Sequence, residues 1–322
     1  MSGPTVTVFI AVFNRAQLLR EAIDSVLRQT FTDFELLVID DGSNDDSVAV
    51  IKSYTDRRLR LVCNDGNAGI PITRQRGLDL ARGRYFAVLD SDDLAPPGRL
   101  ARQVAYLDRR LEIAIVGGWT RKLRRDGRGL RFGVQTLPLR PDELHARLLF
   151  RTCHRHSTIA GRTSIMRDYG YSSEFPVAED FDLFSRVAER HRLANLPVVL
   201  SHRRDHPGRI THEQADLVRA MNLKIVARQL DGLRIPYSRD ELDLHYLLAR
   251  IDKEAIVPDR RLLDRAADWF NRLADANRSA RIYQPKALAK VISRMWIKVC
   301  RRSIPAIGYP AALNALLLRP GR

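Results

Sequence analysis

Four short apolar runs mark the first ninety residues, and apolar residues at three- and four-residue spacing lie between them. Thr5 to Val12 predicts a strand, and Leu18, Leu19, Ala22, Ile23, Val26 and Leu27 predict the helix after it, with Asn14 as its N-cap. Phe34 to Ile39 predicts a second strand, whose polar loop opens a helix carrying Val48, Ile51 and Tyr54. Leu59 to Cys63 predicts a third strand. A helix over Ile72 to Ala81, ended by Gly83, leads into a fourth apolar run that closes at Leu89. This β-α-β-α-β-α-β order implies a parallel sheet with helices on its faces. Ala114 to Trp119 predicts a fifth core strand, Arg121 to Arg131 a mobile loop or a solvated basic hairpin, and Val177 to Ala188 a helix. From about Glu213 helical periodicity dominates, broken by Pro236, Pro258 and Pro285. In Lys286 to Arg302 a basic residue recurs every fourth position opposite an apolar side containing Trp296, and Pro305 then leads into the short apolar stretch Ala306 to Leu318.

A length of 322 residues allows one large domain or a domain with an appendage. The net charge of +16 changes the picture more, because it predicts attraction to polyanions. Much of it lies in the tail, where the residues from Arg278 onward include ten Lys or Arg and no Asp or Glu. Cys63, Cys153 and Cys300 have no zinc or disulfide spacing, which suits a reducing compartment. There is no signal-peptide pattern and no run of about eighteen apolar residues. A cytoplasmic protein is expected, peripheral on the cytoplasmic membrane face if the basic helix docks there.

The fourth strand ends in Asp90-Ser91-Asp92-Asp93. Three carboxylates within four residues repel one another unless a cation or retained protons offset the charge, and a hard cation such as Mg²⁺ or Mn²⁺ suits oxygen donors. The second strand ends in Asp40-Asp41, so two acidic loops lie on the edge of a parallel sheet where ligands bind. Asp40 or Asp41 can accept hydrogen bonds from a base or ribose there. Each acidic loop taken alone also fits a helix cap.

These pieces occur in a telling order. Ala11-Val12-Phe13-Asn14, Asp40-Asp41-Gly42-Ser43, Gly66-Asn67-Ala68-Gly69 and Thr73-Arg74-Gln75-Arg76-Gly77 are followed by Leu89-Asp90-Ser91-Asp92-Asp93 and Ala178-Glu179-Asp180-Phe181-Asp182-Leu183. Over about residues 5 to 212 the chain resembles a family 2 inverting glycosyltransferase. The resemblance implies a GT-A fold, an α/β architecture with a Rossmann-like, mostly parallel central sheet flanked by helices, here over 1–212. A helical C-terminal region covers 213–322.

The resemblance also implies roles. Ala11, Phe13, Asp40 and Asp41 surround the base and ribose, with Asn14 beside them, and Arg74 approaches the nucleotide. Asp90 and Ser91 face the ribose and sugar, Asp92 binds Mn²⁺ or Mg²⁺, and Glu179 lies by the donor. Asp180 is the base for the acceptor hydroxyl. Arg204 and His206 sit over the diphosphate, with His206 a further metal ligand. The stretch His154 to Thr158 matches one that precedes a strand near the donor sugar. Phe13 and Gln75 stand where the family usually has Tyr and Asn.

The implied reaction moves a sugar from a nucleotide-diphosphate sugar, with UDP favoured, to a hydroxyl of a glycan or lipid-linked acceptor in cell-surface polysaccharide synthesis. A polyprenyl-phosphate sugar synthase and a catalytically inactive nucleotide- or polyanion-binding protein are the alternatives. Residues 286–322 are expected to meet an anionic membrane surface. No nucleic-acid-binding motif occurs, so nucleic acid is not an expected partner.

Overall fold

A computed structural model of the chain describes residues 3–123, 130–204, 214–318, 320 and 321. It forms two compact units, Met1–Pro141 with Cys153–Val218 and Asp142–Thr152 with Arg219–Arg322. The second unit thus takes in a short segment from within the 1–212 stretch.

The first unit is built on one sheet. Strands β1 (Val6–Val12), β2 (Phe34–Asp40), β3 (Leu59–Cys63) and β4 (Tyr85–Val88) alternate with helices α1 (Ala16–Leu27), α2 (Ser47–Lys52) and α3 (Ile70–Leu80). After α4 (Arg99–Arg109) come β5 (Ile113–Leu123), β6 (Leu130–Gln135), β7 (Ala160–Arg162), α6 (Thr163–Tyr169), α7 (Glu179–Ala188) and β8 (Arg192–Arg203). Helix α5 (Pro141–Leu148) lies between β6 and β7 in the chain. The strand order is β3-β2-β1-β4-β7-β5-β6, with β8 paired to β5. Pairings among β1 to β4 and between β5 and β8 are parallel, and those involving β6 or β7 are antiparallel.

Strands β1, β2 and β4 are nearly continuous apolar runs because both faces are covered. Leu19, Ile23 and Val26 of α1 join the core cluster with Val8, Ile10 and Leu36, each fully buried side chain contributing about 1.5–3 kcal/mol. On another helix Gly77 lets α3 approach closely: a Cβ there would lie 2.2 Å from the Phe9 ring.

Two local expectations need correction, and a third narrows to its hairpin alternative. Helix α1 has Arg15, not Asn14, at its N-cap, because Asn14 adopts a left-handed φ of 51° and its side chain accepts the Asn44 N–H instead (2.8 Å). The free end of α1 is met by Asp45, which accepts the Ala16 N–H at 3.0 Å. Helix α2 stops at Lys52, short of Tyr54, whose hydroxyl bonds Asp24 of α1 (2.7 Å). The Arg121 to Arg131 stretch is framed by paired strands, since β5 runs on to Leu123 and β6 starts at Leu130. Residues 124–129 lie outside the described residues.

The second unit contains the 142–148 part of α5, the 219–232 part of α8 (Ala215–Gly232), and α9 (Arg239–Arg250), α10 (Arg260–Ala280), α11 (Pro285–Ile307) and α12 (Tyr309–Leu317). Its centre is polar as well as apolar. Trp269 Nε1 donates to His245 Nδ1 (3.1 Å), His245 Nε2 bonds the Leu149 carbonyl (2.9 Å), and the His245 ring stacks on Phe150.

Pro305 does not end its helix; Gly308, at φ 79°, does. The apolar side of α11 is buried, including Leu288, Val291, Ile292, Met295, Trp296 and Val299. The basic stripe is largely engaged within the unit. Lys290 and Arg294 both meet Glu143, Lys298 meets Asp252 (3.0 Å), and Arg302 donates to the Glu254 and Ile256 carbonyls. The exposed apolar side chains lie elsewhere, at Ile297, Tyr309, Leu313, Leu317 and Leu318. Among the described residues no helix is long and apolar enough to cross a membrane.

Candidate active site

The sheet brings the two acidic loops to one edge. Strand β1 lies between β2 and β4, with Val12 paired to Asp40, so the loops after β2 and β4 flank the end of β1. Asp41 N–H continues the ladder to the Val12 carbonyl (2.8 Å), and Leu89 N–H reaches the Phe9 carbonyl (3.0 Å).

On the β2 side the two carboxylates are used differently. Asp41 accepts from Asn64 Nδ2 (2.5 Å) and the Ala68 N–H (2.9 Å) through one oxygen and from the Gly69 N–H (3.0 Å) through the other. It therefore fixes the loop that starts α3. Asp40 accepts the Ser43 N–H through Oδ2 (3.0 Å), while its Oδ1 is buried with no hydrogen-bond partner among the described residues. A buried acceptor without a donor is costly, so Asp40 is the carboxylate suited to a ligand donor. Ala11 is half-buried, Phe13 is 39% exposed, and Asn14 is tied to Asn44 and Ser43 in the same corner.

On the β4 side Arg74 of α3 is the hub. Its guanidinium reaches Asp90 Oδ1 (3.3 Å) and pairs closely with Glu179 at the start of α7. Glu179 is buried, whereas the next residue, Asp180, is half-buried and accepts the Phe181 N–H (2.7 Å). Burial alone would raise the Asp90 pKa; the His156 ring and the Arg74 charge outweigh it and hold this carboxyl well below the ordinary range. Ala178, just before the acidic pair, sits in the left-handed region (φ 63°).

Ser91 and Asp92 are half-buried beside Asp90. Asp93 turns inward, accepting from Ser201 Oγ (3.0 Å) and the Arg204 N–H (3.3 Å). Burial and the charges of Asp90 and Asp92 push its pKa up to about 7. The Arg204 guanidinium pairs with Glu21 of α1 (2.5 Å). His206 lies outside the described residues.

Among the described residues no group of three or more His, Cys, Asp or Glu side chains is arranged to hold a metal ion. The carboxylates still fit a divalent cation of the Mg²⁺ type, which takes one or two protein carboxylates and completes its shell with substrate phosphate oxygens. Asp90 is paired with Arg74, and Asp93 accepts from Ser201.

Arg99 and Tyr171 were not anticipated, nor were the contacts that Ser157 and Gln75 make. Buried Arg99 donates to the carbonyls of Val88 (2.6 Å), Ser157 (2.9 Å) and Ile159 (3.1 Å), fastening the end of β4 to the segment before β7. Ser157 Oγ accepts the Asp90 N–H (3.2 Å). Gln75, the residue in place of the usual Asn, accepts the Tyr171 N–H (2.7 Å), and Tyr171 Oη bonds His156 Nε2 (2.8 Å).

Residues 7–170 match the family model described as glycosyl transferase family 2. The chain is 27% identical to an uncharacterized glycosyltransferase of Haemophilus influenzae over 72% of its own length and 76% of that protein's. It is 33% identical to the succinoglycan biosynthesis protein ExoO of Rhizobium meliloti, over 47% of this chain and 45% of ExoO. Among solved structures, S. aureus TarS 1-349 in complex with UDP-GlcNAc aligns with a TM-score of 0.60 at 17% identity, covering 93% of this chain and 89% of that one. The mannosyltransferase PcManGT from Pyrobaculum calidifontis, in complex with GDP-Man and Mn²⁺, aligns with a TM-score of 0.52 at 18% identity, over 97% of this chain and 78% of that one.

Proposed function

The chain belongs to glycosyl transferase family 2 and is a glycosyltransferase, and on that premise we propose that it moves a sugar, with inversion, from a nucleotide-diphosphate sugar to a hydroxyl of a glycan or lipid-linked acceptor. The observation that carries this reading is the Asp90–Arg74–Glu179 chain, which sets a half-exposed Asp180 beside the carboxylates of the β4 loop. A UDP-sugar is the favoured donor, in line with the UDP-GlcNAc bound by TarS, and the succinoglycan relative supports a polysaccharide acceptor.

In this reading Phe13 offers a ring face to the base, and Asp40 Oδ1 accepts a hydrogen bond from the base or ribose. Arg74 orients Asp90 toward the ribose and sugar. Asp180 takes the proton of the acceptor hydroxyl as the acceptor oxygen bonds the anomeric carbon. The bond from that carbon to the diphosphate oxygen breaks, and the nucleoside diphosphate leaves with the electron pair. A divalent cation held by Asp92 and the diphosphate oxygens would supply charge neutralisation at the leaving group.

The test is nucleotide release from UDP-, GDP- and dTDP-sugars with Mn²⁺ or Mg²⁺, read beside nucleotide binding. Binding of one nucleotide sugar, with release lost in Asp180→Asn and metal dependence lost in Asp92→Asn, is expected. Failure of folded wild-type protein to bind any of them overturns the proposal. Docking of residues 286–322 on an anionic bilayer is part of the same reading, resting on Tyr309, Leu313 and Leu317 with Lys286 and Arg301. Leu313→Asp with Leu317→Asp should abolish binding to anionic liposomes, and unchanged binding would remove the membrane from the reading.

A further inference from the structure

His156 is buried, yet only one of its ring nitrogens is satisfied. Nε2 lies 2.8 Å from Tyr171 Oη, while Nδ1 has no hydrogen-bond partner among the described residues. What Nδ1 faces is Asp90 Oδ1, 4.0 Å away. That separation is too long for a hydrogen bond between the two. It is the right width for one oxygen about 2.8 Å from each atom, which would subtend an angle of roughly 90° there, close to what a hydroxyl donating once and accepting once adopts.

The tautomer follows from the neighbours. A lone pair on Nδ1 would face the Asp90 carboxylate, a repulsive arrangement, so the proton belongs on Nδ1 and Nε2 accepts from the Tyr171 hydroxyl. Burial, with the Arg74 charge, lowers the His156 pKa and keeps the ring neutral; burial raises that of Tyr171 and keeps its hydroxyl protonated. Tyr171 is held in turn by Gln75, and the His156 ring lies near Phe184. The ring therefore has little freedom to turn away.

We propose that His156 Nδ1–H and Asp90 Oδ1 form a two-point clamp on a single hydroxyl of the donor sugar, His156 donating to its oxygen and Asp90 accepting its proton. This rests on the nucleotide-sugar reading of the site and adds to it the residue that reads the sugar. Asp90 alone accepts from any nearby hydroxyl. The pair accepts only a hydroxyl placed so that both bonds form, and a sugar that lacks it or carries it on the other ring face leaves the buried His156 Nδ1–H unmet and Asp90 with Arg74 alone. Tyr171 is a positioning residue that acts by setting the tautomer.

The experiment uses the full chain, measuring equilibrium binding of UDP, GDP and dTDP and of their hexose conjugates in Mg²⁺ or Mn²⁺, then of monodeoxy analogues of the conjugate that binds best. The proteins are wild type, His156→Leu, His156→Asn, whose amide replaces the Nδ1 donor, and Tyr171→Phe. Bare nucleotide should bind all four within about twofold. Wild type should lose roughly tenfold at one deoxy position, the loss expected when a hydrogen-bonding site meets a substrate lacking its group. His156→Leu should lose the same factor on the parent sugar and nothing further on that deoxy analogue, with His156→Asn recovering part of it. Tyr171→Phe should narrow the discrimination without weakening bare nucleotide, and it carries the test if the leucine variant does not fold. A folded His156→Leu or Tyr171→Phe protein that discriminates as wild type does, with nucleotide binding intact, overturns the clamp and leaves the transferase reading standing. Absence of all nucleotide binding by wild type overturns both.

Discussion

In the second unit His245 has both ring nitrogens bonded within that unit, and Asn277 likewise uses its side-chain oxygen and nitrogen on the backbone of Tyr283. In the first unit His156 and Asp40, also buried, each keep one atom without a partner among the described residues, and both atoms lie at the carboxyl edge of the sheet. Burial costs a polar group its water in either place. At His245 and Asn277 the chain returns the partners and the groups specify packing; at His156 and Asp40 one atom is left for something the chain lacks. Substitutions at these two pairs of residues should accordingly differ in kind, those at His156 or Asp40 altering binding and turnover and those at His245 or Asn277 altering stability alone.

The largest effect should come from Asp180→Asn. Removing a general base costs about a thousandfold in turnover, and because Asp180 makes no ion pair with Arg74, nucleotide binding should stay within about twofold by calorimetry. A comparable loss of nucleotide affinity would instead make Asp180 a donor-binding residue. Next is Arg74→Leu, which leaves Glu179 and Asp90 without their shared cation. Breaking a buried pair by removing one partner costs about 3 kcal/mol, visible as a lower urea midpoint, and Arg74→Leu with Glu179→Gln should recover part of that stability without recovering turnover.

Histidine titration compares the units directly. Burial lowers both His245, in the second unit, and His154, in the first, to about 4 from an ordinary 6.5. The folded-state value is depressed, so between those limits the unfolded chain binds more protons. The stabilising effect is present above pH 6.5 and is lost as pH falls toward 4. By pH 5 each histidine should cost about 2 kcal/mol of stability. His245→Phe, which keeps a ring against Phe150, should flatten the acid limb of a urea-midpoint profile by about half. An unchanged limb would mean that the second unit does not unfold with the first.

The parts of this architecture written locally were legible. Apolar runs and helical spacing located β1 to β4 within a residue or two, and Asp40, Asp90 and Asp92 stood out because carboxylates at strand ends are chemically conspicuous. What escaped notice depends on distant partners. Arg99 looks like a solvated residue at a helix start until the segment before β7 supplies its carbonyls, and the partners Asp93 and Ser201 are 108 residues apart. Asp41 was indistinguishable from Asp40 until the folded loop from Asn64 to Gly69 occupied one of them. The ion pairs of the basic stripe of α11 escaped for the same reason, since Glu143 and Asp252 are invisible to its periodicity.

The smallest effect is the one that separates the units most cleanly. Both contain non-glycine residues in the left-handed region, where a Cβ costs about 1–2 kcal/mol. In the second unit Arg281 adopts φ 56° as the C-cap of α10, the ordinary place for such a residue, and its N–H bonds the Asn277 carbonyl. In the first unit Ala178 adopts φ 63° at the N-cap of α7, immediately before Glu179 and Asp180. Glycine at either position relieves the strain, offset in part by the greater freedom of the unfolded chain, for a net gain of up to about 1 kcal/mol. Arg281→Gly should show that gain in the urea midpoint and leave turnover alone. Ala178→Gly should show a similar gain and lose turnover severalfold, because the same Cβ that strains the backbone limits the directions in which the acidic pair can point. Equal turnover in the two variants would mean that the ion pair of Glu179 with Arg74 orients Asp180 without help from the strained residue before it.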